Sequence, residues 1–124
     1  MADTRMPLVA AGALNAAIAI AAGAFGAHGL KDRLDVRRLA IFETAARYHM
    51  YTALALVLCG LLVARGLGGA STAGWVMQGG IAVFAGSLYA LALTNVGWLG
   101  AITPIGGVAM IVGWVMLAVA AYRG

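Results

Sequence analysis

Residues 8–27 read LVAAGALNAAIAIAAGAFGA, an apolar run of 20 residues that holds no charge and a single amide, Asn15. A helix of about 20 apolar residues is long enough to cross the ~30 Å hydrocarbon core of a bilayer. The run is also longer than the apolar core of a secretory signal peptide, so we expect it to stay in the chain. Residues 8–27 therefore predict a first transmembrane helix.

Three further apolar runs follow, at about 48–64, 73–93 and 104–122. They are continuous and rich in Ala, Leu and Gly, which favours helices over barrel strands that alternate in polarity. Of the 124 residues, 64% are apolar and only 10% are charged, too few polar side chains to cover a water-soluble protein. The sequence predicts one all-α membrane domain over 1–124, an integral membrane bundle of four transmembrane helices.

The charged segment between the first two runs predicts a helix at the membrane interface. Its apolar residues recur at roughly helical spacing: Val36, Leu39, Phe42 and Ala46. This spacing is typical of an amphipathic helix over 35–48, before the second span and running on into it. Asp35 is a suitable N-cap, and Glu43 and Arg47 are spaced to pair on one face.

The later helices carry two further start signals. Ser71 or Thr72 is expected to cap the third span, after a glycine-rich turn. Thr103-Pro104 predicts an N-cap followed by proline at the first helical position of the fourth span.

The charge distribution predicts an orientation. Net charge is +4, and in so apolar a chain its natural counterpart is anionic lipid rather than nucleic acid. With four spans, the side of the termini carries Arg5, Arg65 and Arg123. The opposite side carries five cations: Lys31, Arg33, Arg37, Arg38 and Arg47. The positive-inside rule then places the 28–47 loop in the cytoplasm and both termini outside.

Small residues recur at four-residue spacing in three spans: Ala19, Gly23 and Ala27, then Ala82, Gly86 and Ala90, then Ala109 and Gly113. Such stripes let helix backbones approach closely in lipid, where no hydrophobic force drives helices together. The stripes predict either packing within the chain or a seam between copies in a homo-oligomer, and both interpretations stay open here.

Polar side chains gather where all four predicted helices meet one membrane face: His28, Glu43, Arg47, Tyr48, His49, Tyr89, Asn95 and Thr103. They have no metal-ligand spacing, and Ser87 lacks the Gly-x-Ser-x-Gly pattern of a nucleophile. We predict no catalytic residue, metal or cofactor, and interpret the cluster as an interfacial network or a site for a solute, quinone or partner. Asn15 and Gln78 lie mid-span, where hydrogen bonds between helices are expected.

Three functions are compatible with these features. The leading hypothesis is a non-catalytic packing or accessory subunit of a larger membrane complex, or a homo-oligomer. One alternative is a small pore or facilitator for a neutral solute, with Asn15 and Gln78 along the pathway. The other is a lipid- or quinone-interacting protein that uses the polar face around His28 and His49. Membrane lipids are the expected partners in every case, and nucleic acid is not.

Four segments resemble a known family: GAFGAHGL at 23–30, FETAARY at 42–48, FAGSLY at 84–89 and LGAITPIGG at 99–107. They are similar to the domain of unknown function 423 family, the transmembrane-protein-256-like membrane proteins. The resemblance implies a multi-pass protein of a bacterial inner membrane or an organelle, and implies no reaction. The family segment after Arg-Tyr usually reads Gln-Met-Tyr-His, whereas this chain has HMYT at 49–52.

Overall fold

Four long α-helices joined by short turns make up residues 4–124, the part of the chain that the computed structural model describes. They are α1 (Pro7–His28), α2 (Val36–Ala64), α3 (Ala70–Thr94) and α4 (Leu99–Arg123). Each helix is long and apolar enough to cross a membrane. The predicted all-α membrane fold with four transmembrane helices is confirmed.

The helices lie in the order of the sequence and form an open row. α1 packs on α2, α2 on α3 and α3 on α4, with only slight contact between α1 and α3 or between α2 and α4. Within residues 4–124, α1 and α4 do not touch. Protein buries 44% and 39% of the most apolar stretches of α2 and α3, but only 17% and 22% of those of α1 and α4. The row therefore has two edge helices, and each has a single main neighbour.

The interfacial segment and the second span form one continuous helix of 29 residues, α2. The predicted N-cap is confirmed, because the Asp35 carboxylate accepts a hydrogen bond of 2.8 Å from the backbone N–H of Arg38. The last three members of the predicted apolar stripe are buried or half-buried. Val36 is 88% exposed, so the inward face of α2 begins one turn later than predicted.

Arg38 ties the start of α2 to the end of α3. Its guanidinium donates from Nε to the carbonyl of Ala92 (2.8 Å) and from Nη2 to that of Leu93 (3.0 Å). Carbonyls in the last turn of a helix have no partner within it, and a cation is favourable near this negative end. Arg38 therefore holds the interfacial part of α2 against the bundle.

The start of α3 differs from the prediction. The helix begins at Ala70, and its N-cap is Gly69 in the left-handed conformation, with φ 91°. Ser71 and Thr72 lie inside the first turn, so neither is the cap. Glycine reaches positive φ at little cost, so the chain turns directly into the helix before it reaches a hydroxyl residue.

The start of α4 is also earlier than predicted. The helix begins at Leu99, so Thr103 and Pro104 lie inside it and the predicted N-cap at Thr103 is wrong. Proline has no N–H to bond the carbonyl four residues earlier, which usually ends or kinks a helix. The helix nevertheless continues through Pro104, which leaves the carbonyl of Gly100 without its usual N–H donor. The Thr103 hydroxyl donates to the neighbouring carbonyl, that of Leu99 (3.2 Å).

Glycines of α3 and α4 bring the backbones of these two helices into close contact. A Cβ built on Gly80 would lie 2.9 Å from the carbonyl oxygen of Gly106, and one built on Gly106 would collide with the backbone of Phe84. Gly113 likewise packs directly on Met77. In the absence of side chains at these positions, α3 and α4 approach closely.

The other predicted stripe residues are in mixed surroundings, and of those in the first span Ala19 is buried, with 3% exposed. Nothing lies within 4 Å of a Cβ built on Gly23 or Gly86, and Ala27 and Ala82 are exposed. Ala90 and Ala109 are half-buried. The exposed members do not serve packing between helices of one chain, so only a contact outside the chain remains open for them.

Candidate functional site

A chain of hydrogen-bonded polar side chains crosses the interior of the row. His49 of α2 is 4% exposed. Its Nδ1 lies 3.0 Å from the Tyr89 hydroxyl of α3, and its Nε2 lies 2.8 Å from Asn15 Oδ1 of α1. The Asn15 amide nitrogen donates to Gln78 Oε1 (2.8 Å) and to the Ala11 carbonyl (2.8 Å). The predicted hydrogen bonding of Asn15 and Gln78 is confirmed, with His49 joined to it.

The donors and acceptors assign a direction to this series of hydrogen bonds. The Asn15 amide nitrogen uses both of its hydrogens, so the atom that faces His49 is the carbonyl oxygen, which can only accept. His49 Nε2 must therefore carry a proton and donate. In a neutral imidazole Nδ1 is then the acceptor, and the Tyr89 hydroxyl donates to it. Every bond is therefore donated in the same direction: from Tyr89 to His49, from His49 to Asn15, and from Asn15 to Gln78.

Helix positions give the length of this polar chain. Gln78 and Tyr89 are 11 residues apart on α3, which is about 16 Å along the helix axis. Asn15 and Gln78 each lie eight residues from the start of their helices, about 12 Å below the face of the termini. The amides are therefore inside the hydrocarbon region, where every polar group needs a protein partner.

Aromatic rings cover the Tyr89 end of the chain. The Phe42 ring, 4% exposed, lies 5.1 Å from the Tyr89 ring, centroid to centroid. Phe42 also belongs to a small apolar cluster with Leu30 and Ala92 beneath the loop between α1 and α2. This cluster separates the hydrogen-bonded side chains from the aqueous side of the loop.

The structure divides the predicted polar face into two groups. His49 and Tyr89 meet directly, and Thr103 is buried at the contact of α3 and α4. The remaining five residues are exposed: His28, Glu43, Arg47, Tyr48 and Asn95. Glu43 and Arg47 form no ion pair within the described range 4–124, although their spacing allows one. The sequence indicated that the eight residues lie near the same membrane face, but it did not indicate which of them lie on the buried face of their helix.

A second, smaller contact joins α3 and α4. The hydroxyls of Ser87 and Thr103 are 2.6 Å apart, and because the Thr103 hydroxyl donates to Leu99, Ser87 is the donor of this bond. The Ser87 oxygen also lies 3.0 Å from the Phe84 carbonyl oxygen, which competes for the same hydrogen. The interpretation of Ser87 as a packing residue rather than a nucleophile is consistent with these bonds, because no basic group activates the hydroxyl.

The arrangement is suited to holding helices together. Both His49 nitrogens and both ends of the Asn15 side chain are engaged within the protein. A carboxamide does not readily accept and release protons, so Asn15 interrupts proton movement along this series of hydrogen-bonded side chains. Within residues 4–124 no group of three His, Cys, Asp or Glu side chains is placed to bind a metal ion.

Thr52 is the exception among the buried polar groups. Its side chain is 1% exposed, and its hydroxyl has no hydrogen-bond partner in the described range. It lies one turn after His49 on the same face of α2. A buried hydroxyl without a partner lowers stability because its desolvation is not compensated.

Replacing Thr52 with valine, which has nearly the same shape, is therefore expected to raise the unfolding free energy by about 1 kcal/mol. The same change at Thr103, whose hydroxyl is bonded to Ser87, is expected to lower it by about 1 kcal/mol. Denaturation of both variants in the same detergent measures the two effects. Destabilisation by Thr52→Val would contradict the interpretation and indicate a bound water molecule or ligand on that hydroxyl.

Comparison with known proteins shows similarity to a family of membrane proteins. The family described as "Protein of unknown function (DUF423)" matches residues 22–107. The chain belongs to the DUF423 family. It is 48% identical to the UPF0382 membrane protein YwdK of Bacillus subtilis over 114 residues, which cover 90% of this chain and 93% of that protein. It is 50% identical to a UPF0382 membrane protein of Staphylococcus epidermidis, with coverage of 90% and 92%. No solved structure matches the chain.

The DUF423 match includes three of the four residues of the polar chain, His49, Gln78 and Tyr89, whereas Asn15 precedes it. The names of the relatives agree with a membrane protein and attach no reaction to it. Sequence reasoning missed Arg38 and the bond from His49 to Asn15. A signal for both was present, because Arg38, Phe42, Ala45 and His49 recur at the three- and four-residue spacing of one helix face.

Proposed function

We propose that this DUF423 protein is a non-catalytic packing subunit. Its helix α1 binds a transmembrane helix of another polypeptide, which is either a second copy of this chain or a subunit of a larger membrane complex. The observation that carries the proposal is the open row of helices, which leaves α1 with one main neighbour and protein burial of only 17% of its most apolar stretch. A closed ring of four helices would have covered that face within the chain.

The exposed face of α1 suits close approach by another helix. Four of its alanines recur at three- or four-residue spacing and are exposed: Ala13, Ala17, Ala21 and Ala24. At 100° per residue they lie opposite the residues that α1 buries, which include Leu8 and Ala19. Small side chains allow helix backbones to approach in lipid, where dispersion and weak hydrogen bonds supply the attraction.

The polar chain supports the same proposal. It ties α1 to α2 and α3 through Asn15, so the exposed alanine face is presented at a definite angle. The polar groups inside the row are used for this purpose, and the two mid-span amides bond each other across the helix contact. This use of Asn15 and Gln78 favours a packing role over a solute pathway.

The test enlarges the side chain at Ala17, which lies in the middle of the alanine face. The protein, expressed at its native level and extracted in mild detergent, is expected to migrate as a complex with a second copy or another membrane protein. Ala17→Leu is expected to abolish this association, because the larger side chain separates the helices. Ala118→Leu, the same change at an exposed position of α4, is the matched control and is expected to preserve it.

Three results would contradict the proposal. One is a monomer with no co-purifying protein in every mild detergent tested. Another is dissociation caused by Ala118→Leu and not by Ala17→Leu, which would assign the contact to α4. Association that is unaffected by either change does not involve the alanine face and counts against it equally.

We further propose a bacterial inner membrane, with the α1–α2 loop in the cytoplasm and both termini outside. The support is the distribution of Lys and Arg, five near the loop against Arg5, Arg65 and Arg123 on the opposite side. A C-terminal reporter that is active only outside the cytoplasm is expected to be active. Activity of a cytoplasmic reporter at that position would overturn the orientation.

A further inference from the structure

The outer face of α4 holds a groove at the membrane side of the termini. Its volume is about 700 Å³, within the ~300–1,000 Å³ typical of small-molecule sites. The walls are formed mainly by apolar side chains: Leu67, Ile111, Val112, Val115, Met116 and Val119. Polar groups are found at its upper end, where Thr72 and Arg123 line the opening.

The groove has the depth of one bilayer leaflet. From Ile111 to Arg123 the helix rises about 18 Å, and half of the hydrocarbon core is about 15 Å thick. Its apolar part therefore lies at the depth of acyl chains, and Arg123 lies at the depth of phosphate groups. This polarity profile matches that of a phospholipid molecule standing in its own leaflet.

The groove forms because α4 extends beyond its neighbour. Gly113 packs directly on Met77 of α3, but α3 starts only at Ala70. The last turns of α4 face the turn that ends at Gly69, where a Cβ on the glycine would lie 3.1 Å from Ala120. The bulky β-branched side chains of α4 then flank an open channel, unlike the small alanines that α1 exposes.

Arg123 supplies the charge that selects the occupant. Its guanidinium is exposed and has no hydrogen-bonding or ionic partner among residues 4–124. Arginine donates two parallel hydrogen bonds to a phosphate oxygen pair, and a cation at headgroup depth favours anionic lipid. The second cavity on this side, about 580 Å³ among the ends of α1, α2 and α3, is lined by Arg5, which already has a partner.

We propose that the α4 groove is a binding site for one anionic phospholipid, with an acyl chain against Val112 and Val115 and the phosphate on Arg123. The site lies on the opposite membrane side from His28, and it does not depend on the proposed contact at α1. It would place a lipid of one leaflet at a defined position beside the last turns of α4.

The experiment uses the full-length protein with its purification tag at the N-terminus, so that the groove opening is unaltered. Lipid binding is measured by native mass spectrometry while phosphatidylglycerol, or phosphatidylcholine with the same acyl chains, is titrated into the delipidated protein. We expect a first phosphatidylglycerol to bind about tenfold more tightly than phosphatidylcholine, because both lipids offer a phosphate to Arg123 but the choline cation of the second offsets the negative charge that attracts the guanidinium. Arg123→Gln is expected to remove this preference.

Two further variants distinguish lipid binding in the groove from a general attraction of anionic lipid to positive charge on this membrane side. Arg65 lies on the same membrane side but outside the groove, so Arg65→Gln is expected to leave the preference unchanged. Val115 is 56% exposed, so Val115→Trp is expected to fill the groove and weaken both lipids without unfolding the protein. Equal binding of the two lipids by the wild type, an equal loss in Arg65→Gln, or unchanged binding in Val115→Trp would each overturn the proposal. A change of oligomeric state in Val115→Trp, with lipid binding intact, would assign the groove to a protein partner instead.

Discussion

Replacing Gly106 with alanine is expected to lower the unfolding free energy by about 3 kcal/mol, the upper part of the usual range for overpacking. The added Cβ would meet the backbone of Phe84 and lie 2.8 Å from the carbonyl oxygen of Gly80. Backbone atoms cannot move aside by changing rotamer, so α3 and α4 must separate. The same separation would strain the hydrogen bond between Ser87 and Thr103, which adds to the loss.

Gly86→Ala is the matched control for this prediction. Gly86 is also a helix glycine of the α3–α4 half, but nothing lies within 4 Å of its Cβ position. Alanine there should stabilise the helix by about 0.5–1 kcal/mol, because glycine loses more backbone freedom on folding. Titration with a denaturing detergent, followed by tryptophan fluorescence, measures both. A Gly106→Ala variant as stable as the wild type would mean that the two helices are not in backbone contact.

The second large effect is expected from His49→Ala, which should lower the unfolding free energy by about 2–4 kcal/mol. Hydrogen bonds inside membranes contribute about 0.6 kcal/mol on average and at most about 1.7. The loss of two such bonds therefore does not account for the whole decrease in unfolding free energy. Most of it comes from the cavity that the imidazole leaves and from two buried polar groups that lose their hydrogen-bond partner. These groups are the Tyr89 hydroxyl and the Asn15 carbonyl oxygen.

His28→Ala is the control, because this histidine is exposed and its loss should change stability by less than about 0.5 kcal/mol. A double-mutant cycle of His49→Ala with Tyr89→Phe isolates the bond between the two side chains, with an expected coupling of about 0.6–1.7 kcal/mol. Solid-state ¹⁵N spectra of labelled histidine are expected to show the proton of His49 on Nε2. A proton on Nδ1, or the absence of coupling, would contradict the assigned direction of the chain.

Much of the fold could be predicted from particular residues. The uncharged run at 8–27 and its three successors predict four membrane helices, since lipid tolerates only backbone that is bonded within its own segment. Asp35 predicts the start of α2 because capping is local. Thr103-Pro104 misled the prediction for α4, because the helix begins at Leu99 and continues through the proline instead of starting there.

The candidate site could be predicted only in part. Asn15 and Gln78 were recognisable as hydrogen-bonding partners, because an amide in lipid must find one. His49 was grouped with His28 by position along the chain, but one is buried and the other exposed. Which way a helix residue points depends on the neighbour that its helix finds.

Sequence alone determined the solvent, the number of spans and the helical form of this protein, because each follows from the composition of single segments. Tertiary structure decided that the helices form an open row, that Gly80 meets Gly106, and that His49 bonds Asn15. In lipid, apolar side chains gain little by facing one another rather than acyl chains. The helix partners are therefore set by shape and a few hydrogen bonds, which exist only once the helices are side by side.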